Sequence, residues 1–144
     1  MKILVVHGPN LNLLGTRELS VYGTSTLDDV NEAITKEAEN LGIEVEIHQT
    51  SREGGIIELL HEGIGNVGGA IVNPAAYSHT SRAVADALRA VPYPVVEVHL
   101  SNIHAREPWR RESVTAEAAH GIIAGFGPGS YVLALHALAD LLEE

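Results

Sequence analysis

Apolar and polar positions alternate along this chain in two rhythms. Lys2–His7 carries Ile3, Leu4, Val5 and Val6 without interruption, which reads as a strand buried on both faces. Glu44–Gln49 alternates Val45 and Ile47 with polar residues, the pattern of a strand nearer a sheet edge. Ala70–Asn73, Pro94–Leu100 and Gly121–Gly125 are the remaining strand-like runs. Between them the spacing becomes helical. Thr26–Leu41 places Leu27, Val30, Ile34, Ala38 and Leu41 on one stripe, with Thr26 as cap, Asp28 and Asp29 in the first turn, and Gly42 as the stop. Glu53–Ile64 repeats Ile57, Leu60 and Ile64. Thr80–Val91 repeats Val84, Ala87, Leu88 and Val91 and is ended by Pro92. Glu112–His120 reads as a short or partial helix, and Ser130–Glu144 closes the chain with Tyr131, Leu135, Leu138 and Leu142 on one face.

Strands alternating with helices imply right-handed crossovers and a parallel sheet. The expected fold is α/β, a flavodoxin-like three-layer sandwich with a five-stranded parallel sheet in the order 2-1-3-4-5. No internal repeat, low-complexity tract or linker divides residues 1–144, so one catalytic domain is expected. Aromatic residues make up only 4% of a chain that is 45% hydrophobic, so Val, Ile, Leu and Ala must build the core. The formal net charge of −10 argues against a general nucleic-acid binder and against docking on anionic membranes. The absence of cysteine excludes disulfides, thiolate nucleophiles and Cys-ligated zinc. With no signal peptide or run of membrane length, a soluble cytoplasmic protein is expected.

Strand C-terminal ends in such a sheet share one edge, where open α/β folds place ligands. The first strand runs into a loop that holds His7, Asn10, Asn12, Arg17 and Tyr22 among Gly8, Pro9, Gly15 and Gly23. The third ends at Asn73-Pro74-Ala75-Ala76-Tyr77-Ser78-His79, and the fourth at His99-Leu100-Ser101-Asn102-Ile103-His104-Ala105-Arg106. Any one of these residues reads as ordinary loop polarity; three ends rich in His, Asn and Ser read together as a site. Glu97 and His99 are two apart on a strand and share a face, where a carboxylate fixes the imidazole's tautomer and favours its charged form, as a general acid needs. The alternative is a core histidine held by a backbone carbonyl. A guanidinium at Arg17 near the phenol of Tyr22 favours the phenolate, a competent base; the alternative is an aromatic plug beside a solvated charge.

Ser101, Asn102 and the start of the helix after Thr80 could hold a carboxylate. Seven of the nine basic residues are arginine, and Arg106, Arg110 and Arg111 cluster as a small-anion site or as a solvated run beside Glu107 and Glu112. The eight histidines form no convincing ligand set, so no metal is expected. No G-x-G-x-x-G or G-K-[ST] follows the first strand, and Gly125–Gly129 reads as a strand-to-helix turn.

Three segments, GPNLNLLGTRELSVYG, NPAAYSHTSRAVADAL and EVHLSNIHAREPWRRES, resemble in order the signatures of type II 3-dehydroquinate dehydratase, and the resemblance covers nearly the whole chain. Leu19 stands where proline is usual in the family, and Ala75 where glycine is common. The resemblance implies a shikimate-pathway lyase that converts 3-dehydroquinate to 3-dehydroshikimate through an enolate, with no cofactor, metal or Schiff base. It implies Tyr22 as the base for the C2 proton and Arg17 as its activator on a lid loop. Asn10 would position a water at the enolate oxygen. His99, oriented by Glu97, would protonate the departing C1 hydroxyl. Asn73, His79, Ser101, Ile103 (through its backbone) and Arg110 would hold the substrate. Asp86 would reach a neighbouring subunit's site, because the family assembles as a dodecamer of trimers. Neither a nucleic-acid nor a membrane partner is implied. The competing expectations are a non-catalytic flavodoxin-like module that senses a small anion, and a histidine-based metal hydrolase.

Overall fold

The strand Lys2–His7 (β1) lies between two parallel neighbours: Val5 faces Ile47 of Glu44–Gln49 (β2) on one side and Ile71 of Gly69–Asn73 (β3) on the other. Val95–His99 (β4) pairs with β3, and Gly121–Ala124 (β5) with β4. The computed structural model, which describes residues 1–143, therefore holds a five-stranded parallel sheet in the order β2-β1-β3-β4-β5. This is the expected flavodoxin-like arrangement. β2, with one side of its ladder unpaired, is an edge strand, which accounts for its alternating sequence.

The period of two in β1 divides the core. Ile3 and Val5 face Leu27–Leu41 (α2) and Gly129–Glu143 (α5), where Val30, Ile34, Ala38, Tyr131, Leu135 and Leu138 are buried. Leu4 and Val6 face Glu53–Glu62 (α3) and Arg82–Ala90 (α4), against Ile56, Leu60, Val84 and Leu88. The α2 signals act as read. Thr26 accepts from the Asp29 N–H while Asp29 accepts from the Thr26 N–H, a capping box worth about 1 kcal/mol. Gly42 ends the helix at φ 70°.

Beyond shifts of one or two residues at element ends, three segments depart from the sequence reading. α4 begins at Arg82, because the Ser81 side chain caps it by accepting from Val84 N–H, and Thr80 ends a separate turn over Ala75–His79. A single helical turn, Leu19–Tyr22 (α1), stands where only loop was expected. Glu112–His120 is not a helix: its only helical piece is the turn Ala116–Ala118, preceded by the turn Pro108–Arg111. Tertiary contacts override helix propensity there. Val114 N–H donates to the Ser78 carbonyl, and the Ser113 and Thr115 hydroxyls turn inward onto Glu97. Among the described residues, no helix is long and apolar enough to cross a membrane.

Candidate active site

β1 has β2 on one side and β3 on the other, so the chain leaves the sheet in opposite senses at its middle and opens a crevice beyond the strand ends. A cavity open to solvent occupies that crevice. The loop after β1 forms one wall. Gly8 N–H donates to the Asn73 carbonyl at 2.8 Å, and a Cβ on Gly8 would stand 2.7 Å from that oxygen, so only glycine allows the approach. Asn10 follows in the left-handed region at φ 70°, tolerable for asparagine, and lines the cavity.

Tyr22, at the end of α1, lies between two guanidinium groups. Arg17 stands 4.7 Å and Arg106 5.0 Å from its ring centroid. Arg106 Nη1 also donates to the Tyr22 oxygen at 2.6 Å and to Ser101 Oγ at 3.4 Å. Glu18 joins the group, accepting from Arg17 at 2.8 Å. The phenol is thus flanked by two guanidinium groups, one of them bonded to its oxygen. The sequence reading paired Tyr22 with Arg17 alone and left Arg106 in a basic run. The hydrogen bond spans 84 positions, and no local spacing reveals it.

His99 emerges at the end of β4 with Glu97 one pleat behind it, as their spacing predicts. Its Nε2–H donates to Glu97 Oε2 at 2.9 Å, which leaves Nδ1 for a ligand. Glu97 is fully buried. Ser113 Oγ donates to Oε2 at 2.9 Å and the Thr115 hydroxyl donates to Oε1, so both carboxylate oxygens are held. The two hydroxyls come from the segment that reads as a short or partial helix in sequence. A helical reading points such side chains outward and hides their role.

His79 stands beside this pair, its ring 6.4 Å from that of His99 and edge-on to Trp109 at 5.2 Å. Its Nδ1–H donates to the Glu112 carbonyl at 2.6 Å, and Nε2, the accepting nitrogen, lies 3.4 Å from Ser78 Oγ. Burial lowers its pKa from the ordinary histidine value, and the bond to Glu112 only partly opposes this. Arg110 stacks on Trp109 at 4.1 Å and donates through Nε to Glu107 at 2.7 Å, placing its guanidinium on the cavity wall. Asn73, Ser101 and Ile103 complete the lining.

The cavity thus gathers Asn10, Arg17, Tyr22, Asn73, His79, His99, Ser101, Ile103 and Arg110 from separate loops, with Glu97 behind His99. Asp86 is not among them. It sits exposed on α4, 3.6 Å from Arg89. Asn102 is drawn away as well, its side chain accepting from His104 N–H. His7 does not reach the cavity but is sealed in the core, continuing the Ile3 and Val5 face toward α2 and α5. Among the described residues, no three His, Asp or Glu side chains converge as a metal-ligand set.

Ala75 takes φ 53°, a left-handed conformation that side chains other than glycine adopt at a cost. That is the backbone reason for glycine being common there.

The model of the family "Dehydroquinase class II" matches residues 1–139. The 3-dehydroquinate dehydratase of Geotalea daltonii is 54% identical over 144 residues, covering 100% of both chains. 3-Dehydroquinate dehydratase 1 of Agrobacterium fabrum is 50% identical and covers 96% of each. Among solved structures, the type II dehydroquinase of Butyrivibrio crossotus superimposes with a TM-score of 0.94 at 41% identity, over 96% of this chain and 97% of the other.

Proposed function

The chain belongs to the class II dehydroquinase family, and we propose that it is a hydro-lyase dehydrating 3-dehydroquinate to 3-dehydroshikimate in the shikimate pathway. The observation that carries this reading is one cavity holding a phenol braced by two arginines together with an imidazole backed by a buried carboxylate. That is a base and an acid for one elimination.

The substrate's C2 proton lies next to a ketone, so its removal leaves charge that spreads onto the carbonyl oxygen as an enolate. Tyr22, with Arg17 and Arg106 stabilising its phenolate, takes that proton. Asn10 positions a water at the enolate oxygen. His99 then delivers a proton from Nδ1 to the C1 hydroxyl. The C1–O bond breaks, the enolate electrons form the C1–C2 double bond, and water departs. Glu97 holds the imidazole in the orientation this requires, and Ser113 and Thr115 hold Glu97. Asn73, His79, Ser101, the Ile103 backbone and Arg110 bind the substrate's hydroxyls and carboxylate; Arg110 is suited to the carboxylate by its forked donors.

The same reading extends to assembly and place. One cytoplasmic domain forms trimers and then a dodecamer, and Asp86 reaches a neighbour's site. Its exposure on α4 leaves it available for that role.

The test is an ultraviolet assay for the conjugated enone formed from 3-dehydroquinate, with light scattering on the same sample. Enone formation by a species much larger than 15.3 kDa is expected. A preparation that is folded yet silent toward 3-dehydroquinate would overturn the function, and a fully active monomer would overturn the assembly.

A further inference from the structure

His7 is a fully buried titratable side chain with no place in the mechanism above, and its hydrogen bonds form a directed chain that ends on a wall of the cavity. The direction can be worked out from the cavity end. Ala75 N–H, which can only donate, reaches Asn73 Oδ1 at 3.0 Å, so that oxygen is the acceptor and the other end of the amide is Nδ2. Nδ2 donates to the Tyr131 oxygen at 3.0 Å. The Tyr131 proton must then go elsewhere, and its remaining partner is His7 Nδ1 at 2.9 Å. His7 is therefore the Nε2–H tautomer, and Nε2 donates to Asn31 Oδ1 at 2.7 Å. Each group in the chain has one assignment compatible with its neighbours.

We propose that His7 is a positioning residue. Through Tyr131 it fixes the Asn73 amide so that the second N–H on Nδ2 is presented to the cavity as a donor for an oxygen of the substrate. This rests on the function proposed above. The chain spans β1, α5 and β3, and Asn73 stands beside His7 in the parallel register. Without the Tyr131 oxygen the amide keeps only the bond from Ala75, and its donor face is free to swing. A charged His7 would break the chain as well. With N–H on both ring nitrogens, the Tyr131 oxygen would receive two donors and its own proton would have no acceptor. Burial prevents this, pushing the His7 pKa down to about 4.

The experiment measures kcat and KM for 3-dehydroquinate in Tyr131→Phe, His7→Leu and His7→Asn, each also in an Asn73→Ala background. In His7→Asn, the new Oδ1 can take over the accepting position of Nδ1. Tyr131→Phe and His7→Leu are expected to lower kcat/KM roughly tenfold, mainly through KM, as loss of one oriented donor does. His7→Asn should recover most of that loss. Once Asn73 is alanine, neither Tyr131→Phe nor His7→Leu should cost more than about twofold further. Should His7→Leu fail to fold, Tyr131→Phe, which keeps the ring, decides. Equal losses with and without Asn73, or an unchanged KM in Tyr131→Phe, would overturn the proposal. If the wild type does not act on 3-dehydroquinate, the function fails, and the chain is judged by nitrogen NMR instead. The Nε2–H tautomer of His7 at neutral pH, with Asn73 side-chain amide signals that shift in Tyr131→Phe, supports it. The Nδ1–H tautomer, or amide signals indifferent to Tyr131, refutes it.

Discussion

Arg106, whose side chain is only 9% exposed, donates to the oxygen of Tyr22 at 2.6 Å. Arg17, the arginine on the same loop as Tyr22, instead faces the ring and is bonded to Glu18. The two cations therefore do different work. One touches the atom that is to carry charge, and the other adds a field beside it.

Replacing Arg106 should accordingly be the more damaging change. Arg106→Ala is expected to lower kcat on the order of a hundredfold or more, within the range of a disabled general base, and Arg17→Ala by less. Tyr22→Phe should abolish turnover while leaving substrate binding largely intact. Steady-state kinetics with calorimetric binding checks all three. A Tyr22→Phe enzyme near wild-type turnover would remove Tyr22 as the base.

No lysine is placed to form a Schiff base. The only lysines are Lys2 and Lys36: Lys2 opens β1, at the end of the strand away from the cavity, and pairs with Glu46, while Lys36 lies within α2. Borohydride treatment in the presence of 3-dehydroquinate should leave mass and activity unchanged. A covalent adduct on either lysine, seen by mass spectrometry, would contradict the elimination described above.

His7 should make the fold acid-sensitive. Its pKa is about 4 in the folded protein and 6.5 when exposed, so between those values the unfolded chain binds the extra proton. Stability is therefore full above about pH 6.5 and falls as pH drops toward 4, by about 3 kcal/mol at 1.36 kcal/mol per unit. Carboxylates titrate near this window too, so the check is a comparison. Urea unfolding of wild type and His7→Asn between pH 7 and pH 5 should show a shallower fall in the variant. Parallel slopes would remove His7 from the account.

Ala75 carries left-handed strain that glycine would relieve. Ala75→Gly should raise the unfolding free energy by up to about 1 kcal/mol, since the left-handed penalty of roughly 1–2 kcal/mol exceeds the entropy glycine adds to the unfolded chain. Thermal unfolding of the pair decides this, and a lower Tm in the variant would contradict it.

The periodicity of Ile3–Val6, Leu27–Leu41 and Tyr131–Leu138 was enough to read the layers, because burial on one face leaves its mark in every second or every third and fourth residue. The same logic made Glu97 and His99 neighbours, since two positions on a strand share a face. The three polar strand ends could be grouped because a parallel sheet aligns them on one edge. Their specific chemistry became legible only through the likeness of whole motifs to a known family.

Other features depended on distance along the chain. His7 is polar and adjoins a polar loop, yet the alternation of Ile3 and Val5 carries it inward, where only Tyr131 and Asn31 from separate helices can satisfy it. Ser113 and Thr115 have helical neighbours in sequence, but the buried Glu97 carboxylate draws their hydroxyls out of any helix. Arg106 finds Tyr22 only when β4 and the loop after β1 end side by side. Local sequence thus determined the strands, the helices and the edge at which chemistry gathers, because those follow from steric and hydrophobic preferences a few residues long. The tertiary structure decided which polar groups meet. A buried donor must find an acceptor wherever the fold brings one, and no spacing along the chain records that partner.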